Sequence, residues 1–186
     1  MEKVNVMCQL KSGIILKDKI FIPDYDSHTD MLAELGIKDT KKNAETLFVR
    51  AELSPTSGIF SDISEWKFRV DQNIVPEWFV RDYEETRMRE AVAEWLKVHV
   101  HIGKSDFSIK DGLHYLKDCK NVTVYNSSTV TAYDSSTVTV YNSSTIVLPS
   151  WSSNKRENIA LSDNATLKDC RTKTIYQSGD WKLERV

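Results

Sequence analysis

The sequence predicts an α+β domain over residues 1–112 followed by a short all-β solenoid over residues 113–186, with about eight residues per strand-turn unit and two units per coil. Three observations predict it. Residues 1–112 mix runs of period two with one clear helical stripe. From Asn121 to Ser150 the composition turns to Ser, Thr, Val and Tyr, with Asp134 as the sole charge. Within that tract one phrase is said three times in succession: NVTVYNSS, TVTAYDSS, TVTVYNSS.

In the first domain, residues 4–10 and 14–22 are β-rich, and Lys11-Ser12-Gly13 between them reads as a hairpin turn. Pro23 ends the second run. Residues 29–35 predict a short helix, with Ser27 near its start and Gly36 as its stop. Residues 47–53 (LFVRAEL) alternate as a strand, which Pro55 to Gly58 breaks. In WKFRV, Trp66, Phe68 and Val70 share one face. The clearest helix covers residues 82–98. Met88, Ala91, Val92, Trp95 and Leu96 fall on one stripe, and Asp82, Glu84 and Glu85 place negative charge at the positive end of the helix dipole.

In the second domain a Ser/Thr-rich composition alone would fit a disordered linker, but a linker keeps no register. Val122, Val130, Val138 and Ile146 recur every eight residues, as do Tyr125, Tyr133 and Tyr141. Alternation sends Ser128, Val130 and Ala132 to one side and Thr129, Thr131 and Tyr133 to the other. Asn126-Ser127, Asp134-Ser135 and Asn142-Ser143 supply turns. One octad has no interior, whereas stacked pairs of octads share a thin core. The period continues at Ile159, Leu167, Ile175 and Leu183 after a loop near residues 149–158. Residues 116–127 (LKDCKNVTVYNS) echo residues 167–178 (LKDCRTKTIYQS), an alignment that sets Ile175 over Val124. Uncharged β-prone ends invite strand pairing. The first domain is expected to cap one end, and residues 179–186 (GDWKLERV) or a second subunit the other. A homo-oligomer formed through the solenoid follows.

Composition excludes several classes. A net charge of -2 gives no pull toward nucleic acid or an anionic membrane. No apolar run approaches a membrane span, and the N-terminus carries no secretory pattern. Cys8, Cys119 and Cys170 are few and odd in number, which reads as free thiols in a reducing cytoplasm.

Two resemblances attach to these residues. Ala132-x-x-x-Ser136-x-Val138-Thr139 resembles the octad of bacterial ice-nucleation repeats, thought to be β-solenoids with outward Thr-x-Thr rows. The segments SHTDMLAELGIKDT (27–40), FVRAEL (48–53), EWKFRVDQNIVPEWF (65–79) and MREAVAEWLKVHV (88–100), with the tandem tract, resemble uncharacterised proteins of bacteriophages and prophages of gut bacteria. That resemblance implies a phage accessory origin and nothing about chemistry.

The sequence carries no phosphate-cradling glycine loop, no nucleophile elbow and no zinc-binding Cys or His motif. No catalytic residue, metal or cofactor is expected. His99 and His101 share a strand face at a spacing metals can use, although a polar face after the helix explains them more simply. His28 and Asp30 allow a general-base reading, but helix capping and surface polarity account for them. Cys119 and Cys170 occupy matching echo positions, as a redox pair or, preferably, as small core fillers.

For binding, Trp78 sits in a loop-like stretch and Trp181 in the C-terminal cap. Tyr125, Tyr133 and Tyr141, with Thr131 and Thr139, form an outward surface suited to protein contact. The Thr rows are too few per side for ice binding. The expected function is a non-enzymatic phage-type accessory protein that binds and inhibits a host protein, such as a bacterial antiviral defence component, in the cytoplasm of an infected or lysogenic host. The alternatives are a small-ligand-binding or enzymatic first domain near His28, His99 and His101, with the solenoid as oligomerisation module, and a structural virion component.

Overall fold

The computed structural model describes residues 10–179. Strand β1 (Lys11–Leu16) turns back through Lys17–Lys19 into β2 (Ile20–Phe21), followed by helices α1 (His28–Glu34) and α2 (Lys41–Ala44). Then come β3 (Phe48–Ser54), β4 (Lys67–Val70) and the long helix α3 (Arg81–His99). These strands form one antiparallel sheet in the order β2-β1-β3-β4.

The expected hairpin turn at Lys11-Ser12-Gly13 is instead part of β1. Gly13 is there for close packing, because a Cβ on it would lie 2.9 Å from the Met88 Cε of α3. Alternation then assigns the two faces of the sheet. Gly13, Ala51 and Phe68 belong to the face that α3 covers. Ser12, Ile14, Phe48, Arg50 and Glu52 belong to the other, where Ile14 and Phe48 pack with Met31 and Leu32 of α1. α1 is capped by the Ser27 hydroxyl, which accepts from the Asp30 N–H at 3.3 Å, and Gly36 follows it at φ 69°. α3 buries Met88, Val92 and Trp95 of the predicted stripe, together with Glu84, which pairs with Arg87 at 2.8 Å.

The chain divides into two units near the end of α3, at Lys97/Val98. The second contains β5 (Val100–Ile102), β6 (Ser108–Ile109), β7 (Leu113–Lys117), β8 (Val122–Val124), β9 (Thr129–Tyr133), β10 (Val138–Val140), β11 (Thr145–Leu148), β12 (Ile159–Leu161), β13 (Thr166–Asp169) and β14 (Thr174–Gln177). Successive strands up to β13 alternate between two parallel sheets, ordered β12-β10-β8-β6 and β14-β13-β11-β9-β7-β5. Val122, Val124, Val138 and Val140 of one sheet share a core with Val130, Ala132, Ile146 and Leu148 of the other.

The repeated phrase has a physical reading here. Asp118, Asn126, Asp134 and Asn142 hold positive φ, which short polar side chains tolerate best. The buried hydroxyls of Ser128 and Ser136 each donate to the carbonyl three residues back, at 2.8 and 2.9 Å. The turn side chains tie neighbours together: the Asn126 N–H donates to Asn142 Oδ1 at 3.0 Å, and the Asn142 N–H to Asp163 Oδ2 at 3.1 Å.

The predicted fold class is nevertheless corrected. The described residues form a mixed α/β molecule of fourteen strands in three sheets with three α-helices, and the sheets are open, not closed into coils. The loop at 149–158 falls where the sequence placed it, so that Val138 pairs with Val122 on one side and with Ile159 on the other. One feature breaks the expected winding. The second copy of the LKDC echo folds back as an antiparallel hairpin, Leu167 opposite Tyr176. In the first copy Asp118 and Asn121 both adopt positive φ and carry the chain to the other sheet. In the second, Thr172 stands where Asn121 stood, its β-branch resists that conformation, and Lys173 takes the positive φ instead. Ile175, expected to face inward, is 68% exposed as a result. Leu183 and nearly all of residues 179–186 lie outside the described residues, as do Cys8 and most of the run 4–10.

Candidate functional site

On the α1 face of the first sheet, polar side chains converge beyond the apolar cluster. β3 contributes Glu52, which lies opposite Ser12 of β1 on one side and Arg69 of β4 on the other. The chain leaving β4 extends the ladder by one bond, Asp71 N–H to the Arg50 carbonyl at 2.8 Å, and so fixes Asp71. Gln72 clamps the same segment: its Oε1 accepts from the Arg50 N–H at 2.9 Å, while its Nε2 donates to the Ile74 and Phe48 carbonyls at 2.7 and 3.2 Å. α1 opens with His28, whose Nδ1 lies 3.4 Å from Asp71 Oδ2 and whose Nε2 lies 3.3 Å from the Ala51 carbonyl oxygen.

One ligand atom each from His28, Glu52 and Asp71 lies within 4.8 Å of the others, and all three residues are half-buried. Asp71 also faces Arg69 at 3.6 Å and borders a cavity of about 500 Å³. That cavity presents Lys41, Arg50 and Arg69 against Asp39 and Asp71, with Arg50 paired to Asp39. It can take a small polar ligand carrying negative charge.

The histidines divided between the two units. His28 belongs to the cluster above. Asp30 is exposed and receives no place in it; its backbone serves the helix cap, as expected. In the second unit His99 and His101 are joined by His114. The His101 ring stacks on His114 at 5.3 Å and 17°, and His99 lies 5.1 Å from His114. A carbonyl accepts at one end of this group, so the proton directions follow: His114 Nε2 donates to the Asp111 carbonyl (2.9 Å), His101 Nε2 donates to His114 Nδ1 (3.1 Å), and Lys104 Nζ donates to His101 Nδ1 (3.4 Å). Burial first, and then the facing charges of His114, Lys104 and His99, push the His101 imidazole down to about 4. His101 is a buried member of a hydrogen-bonded network and not part of the polar surface expected for it. The Cys119 thiol donates to the His101 carbonyl at 3.3 Å and is a buried filler; Cys119 and Cys170 are both free thiols.

The predicted binding residues do not form one surface. Thr131 and Tyr133 are buried, at 7% and 6% exposure. Tyr125 and Tyr141 stack at 5.3 Å and 15°, Tyr125 being 37% exposed, and Thr139 is half-buried on the same sheet. Trp78 is half-buried and donates its indole N–H to the Thr46 carbonyl at 2.9 Å. Trp181 lies outside the described residues. Sequence reasoning missed Glu52, Asp71 and His114. The alternation of FVRAEL does put Arg50 and Glu52 on one face; nothing local announces that α1 brings His28 to them.

No helix among the described residues is long and apolar enough to cross a membrane. No family model, curated protein or solved structure matches the chain, and the likeness to phage proteins and ice-nucleation repeats is an expectation from the sequence alone.

Proposed function

We propose that the chain is a small-ligand-binding protein whose site lies in the first unit, with the second unit serving as an association module. The observation that carries this reading is the cavity bordered by Lys41, Arg50, Arg69, Asp39 and Asp71, three cations against two carboxylates, next to His28 and Glu52. Lys and Arg side chains around a concave site recognise a phosphate or carboxylate group, Arg through its planar fork. β14 supports association: among the described residues it is an edge strand, and Ile175 on it is exposed. The test is a thermal-shift and calorimetric panel of phosphate- and carboxylate-bearing metabolites, repeated on Arg69→Ala and Arg50→Ala. Saturable binding weakened by both variants is the expected result; no binding across the panel would reject the reading.

A second reading is the phage-type accessory protein that docks on and blocks a host protein. The stacked, partly exposed Tyr125 and Tyr141 favour it, because paired tyrosines give contact area at low entropic cost. The burial of Thr131 and Tyr133 narrows the surface available to it. Affinity capture from host lysate with wild type and with a Tyr125→Ala/Tyr141→Ala chain tests it: a partner held by the first and lost by the second is expected.

A further inference from the structure

We propose that His28 Nδ1, Glu52 and Asp71 bind one divalent first-row transition metal ion, of which Zn²⁺ is the natural probe. Three independent elements deliver the donors: α1, β3 and the segment after β4. Convergence from distant parts of the chain fixes their geometry better than neighbours on one loop would.

His28 sets both ring nitrogens against oxygen atoms, Nε2 against the Ala51 carbonyl and Nδ1 against the Asp71 carboxylate, and a second positive partner beside the first N–H, a proton or a metal ion, satisfies both. A neutral imidazole carries one proton. With Nε2–H donating to the carbonyl, the Nδ1 lone pair is aimed at a carboxylate oxygen, an arrangement that a metal ion between them relieves. A backbone carbonyl holding the far nitrogen is also how metal-binding histidines are commonly oriented.

A second, separate observation points to the same place. The Ser12 hydroxyl is buried and is the one buried side-chain oxygen or nitrogen among the described residues with no hydrogen-bond partner. Ser12 lies directly opposite Glu52, on the same face of the sheet. Leaving a buried hydroxyl unpaired is costly, and a water on the metal would pair it.

The donor set selects the ion. One imidazole and two carboxylates suit Zn²⁺, Mn²⁺ or Fe²⁺; Ca²⁺ and Mg²⁺ favour all-oxygen shells. Two carboxylate charges balance the ion, and Arg69 holds the second oxygen of Asp71 at 3.6 Å. Three protein ligands leave a coordination position open, as in catalytic zinc sites. This inference stands apart from the anion-pocket reading, since metal binding is measured with no organic ligand present.

The test is calorimetric titration of the full, chelator-treated chain with Zn²⁺, paired with Co²⁺ absorption. One equivalent is expected in the wild type, with a Co²⁺ spectrum lacking thiolate charge-transfer bands. His28→Ala, Glu52→Gln and Asp71→Asn should each weaken binding by at least roughly tenfold, whereas His101→Ala should leave it unchanged. Unfolding curves identify which variants are folded, and the near-isosteric Glu52→Gln and Asp71→Asn keep the test valid if His28→Ala is not. Absence of stoichiometric Zn²⁺ binding in the wild type would overturn the proposal, as would binding that survives in the folded variants or shows thiolate bands.

Discussion

The two units use polar residues for opposite ends. In the second unit buried polarity is consumed by the fold: Ser128 and Ser136 donate to carbonyls, Asn126 and Asn142 tie one turn to the next, and His101 is threaded between Lys104 and His114. In the first unit polarity gathers around a concave site. The Ser12 hydroxyl has no partner, His28 sets a nitrogen against the Asp71 carboxylate, and Arg50 and Arg69, each facing a carboxylate, border a cavity with Lys41. Fully paired polar networks rigidify a structure, whereas underused polar groups mark places where a fold gives up stability for a site.

The largest expected effect comes from the apolar ladder that both parallel sheets share. Ile146 is fully buried and stands between Val130 and Leu167 in register. Ile146→Ala should cost about 2–5 kcal/mol in chemical denaturation, the range for buried aliphatic truncation. A loss near zero would break the picture of a packed seam between the sheets.

Next in size is acid destabilisation. The folded His101 is held at about 4, against an ordinary value of 6.5. Between those values the unfolded chain takes up a proton that the folded chain refuses. The stability contribution is therefore intact above pH 6.5 and falls as pH drops toward 4, by up to about 3 kcal/mol. Denaturation curves across that window should show the slope in the wild type and lose most of it in His101→Gln.

Smaller effects sharpen the contrast between the units through two serines. The Ser136 hydroxyl donates to the Tyr133 carbonyl and accepts from the Cys119 N–H at 3.2 Å, so Ser136→Ala strands a buried N–H and should cost about 1–3 kcal/mol. Ser12→Ala removes an unpaired hydroxyl and should be neutral or slightly stabilising, within about 1 kcal/mol, in metal-free protein. Equal losses at the two positions would erase the distinction between the units.

What the sequence made legible was local. The cap of α1, the alternation of β3 and β4 and the buried stripe of α3 all follow from spacing. So does the inward row of Val122, Val130, Val138 and Ile146. The fold class was not legible. An eight-residue echo specifies a strand and a turn, but not how the sheets end. Among five exchanges between the two copies, Thr172 for the Asn121 of the first goes with a hairpin in place of a crossing. Gly13 misled for a related reason: glycine marks a turn or a close approach, and only the position of Met88 decides which. The candidate site was half legible. His28 stood out, but Glu52 and Asp71 join it through sheet register and helix placement, which no local pattern encodes.

The most direct test of the contrast is a crystal of the full chain soaked in Zn²⁺, with data collected on both sides of the zinc absorption edge. The account predicts one strong anomalous peak bounded by His28, Glu52 and Asp71. A peak at His101 and His114 instead, or none at His28, would contradict it.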